Sequence, residues 1–120
     1  MSQFAMAVPI LPGKTQELKR WAQESQGPRR KEYTASRRRL GILFEKVFIQ
    51  PTPQGDLLLL FFEDVDHARM NQVLASSQDP YDVWFRQKMQ EITGIDFSQP
   101  ATGAAPEMLL NWQSERQAAS

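Results

Sequence analysis

Leu57-Leu-Leu-Leu-Phe-Phe62 decides the fold. Six consecutive large apolar residues show no alternation, so they do not read as a strand with one wet face. They read as a strand covered on both faces, in the middle of a sheet. Just upstream, Pro51-Thr-Pro-Gln-Gly-Asp56 is a hairpin connection, with Gly55 supplying the positive φ of the turn. The hairpin's other arm is Ile42 to Ile49. One register there reads Leu43, Glu45, Val47, Ile49 and the other Phe44, Lys46, Phe48, Gln50. Each register holds a charge, which fits a strand nearer a sheet edge.

Phe4-Ala-Met-Ala-Val-Pro-Ile-Leu11 reads as a first strand, apolar on both sides and so also central, with a bulge or a break in pairing expected at Pro9. Lys14 to Ser25 follows as a helix whose inward face is Leu18, Trp21, Ala22 and Ser25. Gly27-Pro28 interrupts it, and a second helical piece runs from about Pro28 to Leu40. Beyond the hairpin, Asp66 is a good N-cap for a helix over His67 to Ser77. Asp79-Pro80-Tyr-Asp82 starts another, whose stripe is Tyr81, Trp84, Phe85, Lys88, Met89 and Ile92, ended by Gly94. Met108-Leu-Leu-Asn-Trp112 reads as a last strand, and residues 114–120 as a frayed, flexible tail after a single domain over 1–113. The order β-α-β-β-α-β, with each helical region split, predicts an α+β, ferredoxin-like sandwich with sheet order 4-1-3-2. Helices cover one face of such a sheet. The two central strands are apolar on both, so a second copy of the chain is the expected cover of the other face.

Composition narrows the chemistry. The chain has 120 residues, 41% hydrophobic and 23% charged, which is ordinary for one globular domain. It has no cysteine, so disulfides, thiol catalysis and Cys-based metal sites are excluded; a single histidine removes His-rich zinc sites too. No apolar run approaches a membrane span, and no export signal opens the chain, so a cytoplasmic protein without membrane contact is expected. Lys+Arg and Asp+Glu are 14 each. The balance is uneven along the chain: residues 1–46 carry ten basic and four acidic groups, residues 47–120 four and ten. Arg29, Arg30, Lys31, Arg37, Arg38 and Arg39 form a basic cluster that could make a nucleic-acid patch. With zero net charge and no stacking aromatic among the arginines beyond Tyr33, acidic and basic surfaces meeting each other is the preferred reading, and no nucleic-acid partner is expected.

Three stretches resemble an uncharacterised family of small bacterial proteins within the dimeric α/β-barrel (ferredoxin-like) superfamily. They are Gly27-Pro-Arg-Arg-Lys-Glu-Tyr-Thr-Ala-Ser-Arg-Arg-Arg-Leu-Gly-Ile42, Gln50-Pro-Thr-Pro-Gln-Gly-Asp56, and Asp79-Pro-Tyr-Asp-Val-Trp-Phe85 with Gly94-Ile-Asp96. The resemblance extends over residues 4–113. It implies a dimer in which two sheets pack face to face, each subunit keeping a pocket between sheet and helices. The superfamily includes cofactor-free monooxygenases, lactone isomerases and haem-binding enzymes, and none of their catalytic signatures is visible here, so the resemblance assigns no chemistry.

No Gly-rich phosphate loop, no Gly-x-Ser-x-Gly and no metal-ligand cluster occurs, and neither cofactor nor metal is expected. Candidate ligand-binding residues are Trp21, Tyr33, Arg37, Trp84, Phe85 and Met89 on the inward helix stripes, and His67 at a helix start. Arg37 stands between Tyr33 and Leu40 on one helix stripe. Turned inward, it needs an anionic ligand or an internal carboxylate, with Glu45 or Glu63 in view. His67, at a helix start, offers a neutral imidazole as hydrogen-bond partner or base, or else faces solvent with no role. The aromatics are either plain core or the walls of a cavity beneath the broken helices. Three functions follow: binding of a fatty-acid-like or aromatic small molecule, cofactor-independent oxygenation or isomerisation, or a structural or regulatory dimer with a filled interior.

Overall fold

The computed structural model describes residues 2–100 and 105–115. Its elements run β1 (Ser2–Pro9), α1 (Thr15–Gln26), α2 (Arg30–Leu40), β2 (Ile42–Thr52), β3 (Gly55–Asp64), α3 (His67–Ser76) and α4 (Pro80–Thr93). The three strands form one antiparallel sheet in the order β1-β3-β2, so the unbroken apolar run does occupy the centre. β2 and β3 are joined by a tight hairpin pairing Thr52 with Gly55, and Gly55 sits at φ 125°, where a side chain is strained. β1 ends at Pro9, paired with Leu57, and one more backbone bond follows, from the Ile10 amide to Asp56 O at 3.0 Å.

The helix ends follow local rules. Asp66 accepts from the Arg69 amide and Asp79 from the Tyr81 amide, while Pro80 fits the first turn of α4. Gly94 closes α4 in the left-handed conformation at φ 80°. A shift in pairing between Ile42 and Phe44 sets the register of β2. Beyond it Glu45, Val47 and Ile49 face the helices, and Phe44, Lys46, Phe48 and Gln50 face away.

All four helices lie on one side of the sheet, over two apolar clusters. Ile10, Leu18, Trp21, Leu58, Met89 and Ile92 make one; Leu40, Phe62, Met70 and Leu74 make the other. Leu60, Phe85 and Phe97 pack against both. The opposite face of the sheet is bare among the described residues. Phe44, Phe48 and Phe61 are exposed there, and the Phe48 and Phe61 rings meet edge to face at 5.9 Å.

Two expectations are corrected. Met108–Trp112 is not a strand: it pairs with nothing in the sheet, and Leu109 is 86% and Leu110 84% exposed. With no fourth strand beside it, β1 is an edge rather than a central strand. Both segments are apolar, but Met108–Trp112 pairs with no strand of the sheet and β1 is paired on one side only, with β3. The expected flexible tail falls mostly on residues outside those described. No described helix is long and apolar enough to cross a membrane.

Candidate functional site

Between the helices and the sheet lie two hollows that share a wall. The smaller is a cavity of about 50 Å³, lined almost entirely by apolar side chains of all three strands, with Trp21, Phe85, Met89 and Phe97 closing it. The larger is a groove of about 360 Å³ between α1 and the edge strand β2, bordered by Leu18, Ser25, Tyr33 and Ile49. Trp21, Glu45 and Val47 line both. The pairing shift in β2 puts Glu45 at that junction, since it turns the Glu45 register toward the helices.

Glu45 is held from α2. Tyr33 donates its phenol hydrogen to Glu45 Oε1 across 2.6 Å, and Arg37 donates through Nε to the same oxygen across 3.0 Å. The Arg37 guanidinium lies 4.6 Å from the Phe85 ring centre and 5.0 Å from that of Tyr33, so its flanks rest on aromatic rings. Its Nη1 donates to Ser36 Oγ at 3.1 Å, and Nη2 is buried without a partner. Ser36 in turn donates to the fully buried Asp82 carboxylate, which also accepts from Ser77 and from Arg39 Nε. Arg39 reaches on to Asp79 at 2.9 Å. One polar chain thus runs from Tyr33 through Glu45, Arg37, Ser36 and Asp82 to Arg39, binding β2, α2 and α4 together. Nearby, Ser25 and Tyr81 share a buried hydrogen bond of 2.7 Å.

These contacts shift proton affinities. Burial pushes the Tyr33 phenol well above its usual value, and the Glu45 carboxylate adds to the shift. Burial also raises Tyr81, against the opposing effect of its bond to Ser25. Burial works against the Arg37 cation, but Glu45 together with the Tyr33 and Tyr81 phenols overcomes it, and the guanidinium is held more firmly charged than usual. At Asp82, burial would raise the carboxyl; the Ser36 and Ser77 hydroxyls and the Arg39 charge overcome it, and the net shift is downward.

The sequence candidates separate into two groups. Trp21, Tyr33, Phe85 and Met89 border the hollows, and Arg37 stands behind Glu45. Trp84 lines neither hollow: the Arg29 guanidinium caps its ring at 4.1 Å, and Tyr81 meets it edge to face. His67 lies elsewhere, stacked on Phe4 at 3.8 Å and hydrogen-bonded through Nδ1 to buried Asp64 at 2.7 Å. Glu45 is the site residue missed from the sequence list. It was visible there only as a possible partner of Arg37 and as the one charge among Leu43, Val47 and Ile49. Among the described residues no group of three or more His, Cys, Asp or Glu side chains is placed to hold a metal ion.

Residues 1–117 match the family of unknown function DUF6176. The chain belongs to that family. The match takes in every strand and helix described above, so sheet, helices and the Glu45 junction are all part of the family's domain. No curated protein matches the chain at a significant level.

Proposed function

We propose that this DUF6176 domain binds a small, largely apolar molecule in the groove between α1 and β2, with part of it reaching the cavity beneath Trp21. The observation that supports this most is the shared wall. An apolar cavity and a groove of small-molecule size meet at one buried carboxylate, the usual pattern of a ligand site with few, fixed polar groups. The groove's volume lies at the lower end of the range that small organic ligands occupy. A dimer with a filled interior would have no use for either hollow.

A second reading, cofactor-independent oxygenation or isomerisation, draws on one feature. The Glu45–Tyr33 pair places a carboxylate and a phenol at the junction, where they could exchange a proton with a bound molecule. In either reading we take the domain to be ferredoxin-like and to act as a homodimer, the bare sheet face with Phe48 and Phe61 packing on a second copy.

The test uses the tryptophans. The chain has three, Trp21, Trp84 and Trp112, and Trp21 alone borders the hollows. In a Trp84→Phe, Trp112→Phe background, a panel of short-chain and single-ring compounds should saturably change Trp21 emission. A panel that leaves Trp21 unmoved throughout defeats the binding reading.

A further inference from the structure

We infer that the ligand meets the junction with a neutral hydroxyl, alcohol or phenol, and not with a carboxylate. This deepens the binding reading and rests on it. An inward arginine invites the expectation of an anionic ligand. Here the arginine is already committed: Arg37 pairs with Glu45, both side chains are more than nine-tenths buried, and Arg37 borders neither hollow. The charged group that does border both is Glu45. A ligand carboxylate would bring a second negative charge against it in a poorly solvated place, where like charges repel most strongly.

Glu45 still has room to accept. Both of its hydrogen bonds end on Oε1, and a carboxylate can accept about four. Of the remaining polar groups of the two linings, only Lys19 of the groove is charged, and it is exposed to water, where its charge is screened; the others have partners within the protein. Thr93 donates to Met89 O, Ser25 is bonded to Tyr81, and Gln26 donates to Ala22 O. Trp21 Nε1 is buried against the Tyr81 hydroxyl, which lines neither hollow, so the indole offers the ligand its ring and not its N–H. A ligand hydroxyl can donate to Glu45 Oε2, which carries neither of the two bonds from α2. An ammonium could donate too, but Arg37 already balances Glu45, so a second buried cation would be left uncompensated.

The test compares two probe series at neutral pH by calorimetry and by Trp21 emission: 1-hexanol against hexanoate and hexylamine, and 4-ethylphenol against 4-ethylbenzoate. The hydroxyl probes should bind about tenfold or more tightly than the carboxylates and the amine, the scale of one mismatched buried polar group. In Glu45→Gln that preference over the carboxylates should shrink toward none. Carboxylates or the amine binding as tightly as the hydroxyls overturns the inference while leaving the binding reading intact. Binding of none of the probes overturns both. If Glu45→Gln folds and keeps the full preference, Glu45 is not its source; if it does not fold, the ratio in the native protein decides alone.

Discussion

Arg37, in the second half of α2, donates through Nε to Glu45 of β2 across 3.0 Å, and the two side chains are 8% and 9% exposed. Bringing two charges out of water is costly, and attraction at contact distance recovers that cost only when further hydrogen bonds complete the group. Here Tyr33 and Ser36 each add a hydrogen bond and the Phe85 ring flanks the guanidinium, so that of the Arg37 nitrogens only Nη2 is left buried without a partner. The pair fixes the register of the β2 edge against α2 and positions the one carboxylate shared by both hollows.

Breaking half of this pair should be much worse than removing all of it. Arg37→Ala, or Glu45→Ala, leaves a buried charge alone and should cost about 3–5 kcal/mol in denaturant unfolding. The double variant Arg37→Met, Glu45→Leu should recover most of that loss. Arg38→Ala, at an exposed position, should stay within about 0.5 kcal/mol of the native protein. Arg39→Ala falls between, because Asp82 keeps two hydroxyl donors without it. Equal, small effects from Arg37 and Arg38 would show that the buried pair contributes nothing to folding.

The tyrosines give a direct optical check. The chain has two, Tyr33 and Tyr81, and both phenols are shifted upward, burial being the first cause in each. A raised phenol favours its protonated form in the folded state. The associated stability is present below the unfolded value, about pH 10, and is lost as pH climbs toward the folded one. Near-ultraviolet titration of the folded protein should therefore show less tyrosinate at about pH 10 than a free tyrosine, which is half ionised there. Ionisation should arrive together with loss of circular dichroism. A reversible titration of one tyrosine near its ordinary value, with the fold intact, would contradict the packing at Tyr33 or Tyr81.

Acid should act through Asp82. Its carboxyl is lowered on balance, so its contribution is present above the unfolded value, about pH 4, and is lost as pH falls through the folded one. The native protein should lose stability on acidification in that window. Asp82→Asn should be less stable at neutral pH and show a flatter acid limb, because the group that titrates is gone. A variant with an unchanged acid limb would place the acid sensitivity elsewhere.

Most of the architecture was legible because it is encoded locally. The Leu57–Phe62 run marks the central strand, Gly55 the hairpin, and Asp66, Asp79-Pro80 and Gly94 the helix ends, each through backbone chemistry within a few residues. What escaped depends on distance. Met108–Trp112 has the composition of a strand, yet strand formation needs a partner edge, and composition does not say whether one is within reach. Trp84 sits on the expected helix face and His67 at the expected helix start, but their neighbours, Arg29 with Tyr81 and Asp64 with Phe4, come from elsewhere in the chain or from the turn before. Glu45 was read as an edge-strand charge. Its burial depends on the pairing shift between Ile42 and Phe44, which nothing in the local sequence announces.

The bare sheet face leads to the last prediction. Phe48 and Phe61 stand 52% and 41% exposed on it, Phe44 lies beside them, Ala5, Ala7 and Leu59 share the face, and Lys46 is the charge among them, opposite Phe61. Three exposed phenylalanines on one bare sheet face are what a contact surface would present. At roughly 25 cal/mol per Å² of apolar area, covering it with its own copy would stabilise the assembly by several kcal/mol for a typical patch. A two-fold axis through the face would set Phe48 and Phe61 of each copy against those of the other. Sedimentation at micromolar concentration should give twice the chain mass of 13.8 kDa. Phe48→Glu with Phe61→Glu should reduce it to the single mass while leaving the helical circular dichroism and the Trp21-side groove unchanged, since neither residue touches the helix layer. A native protein that sediments as a soluble monomer at these concentrations would remove the dimer. A charged double variant that still sediments as a dimer would move the contact to another surface, with the exposed Leu109, Leu110 and Trp112 next in line.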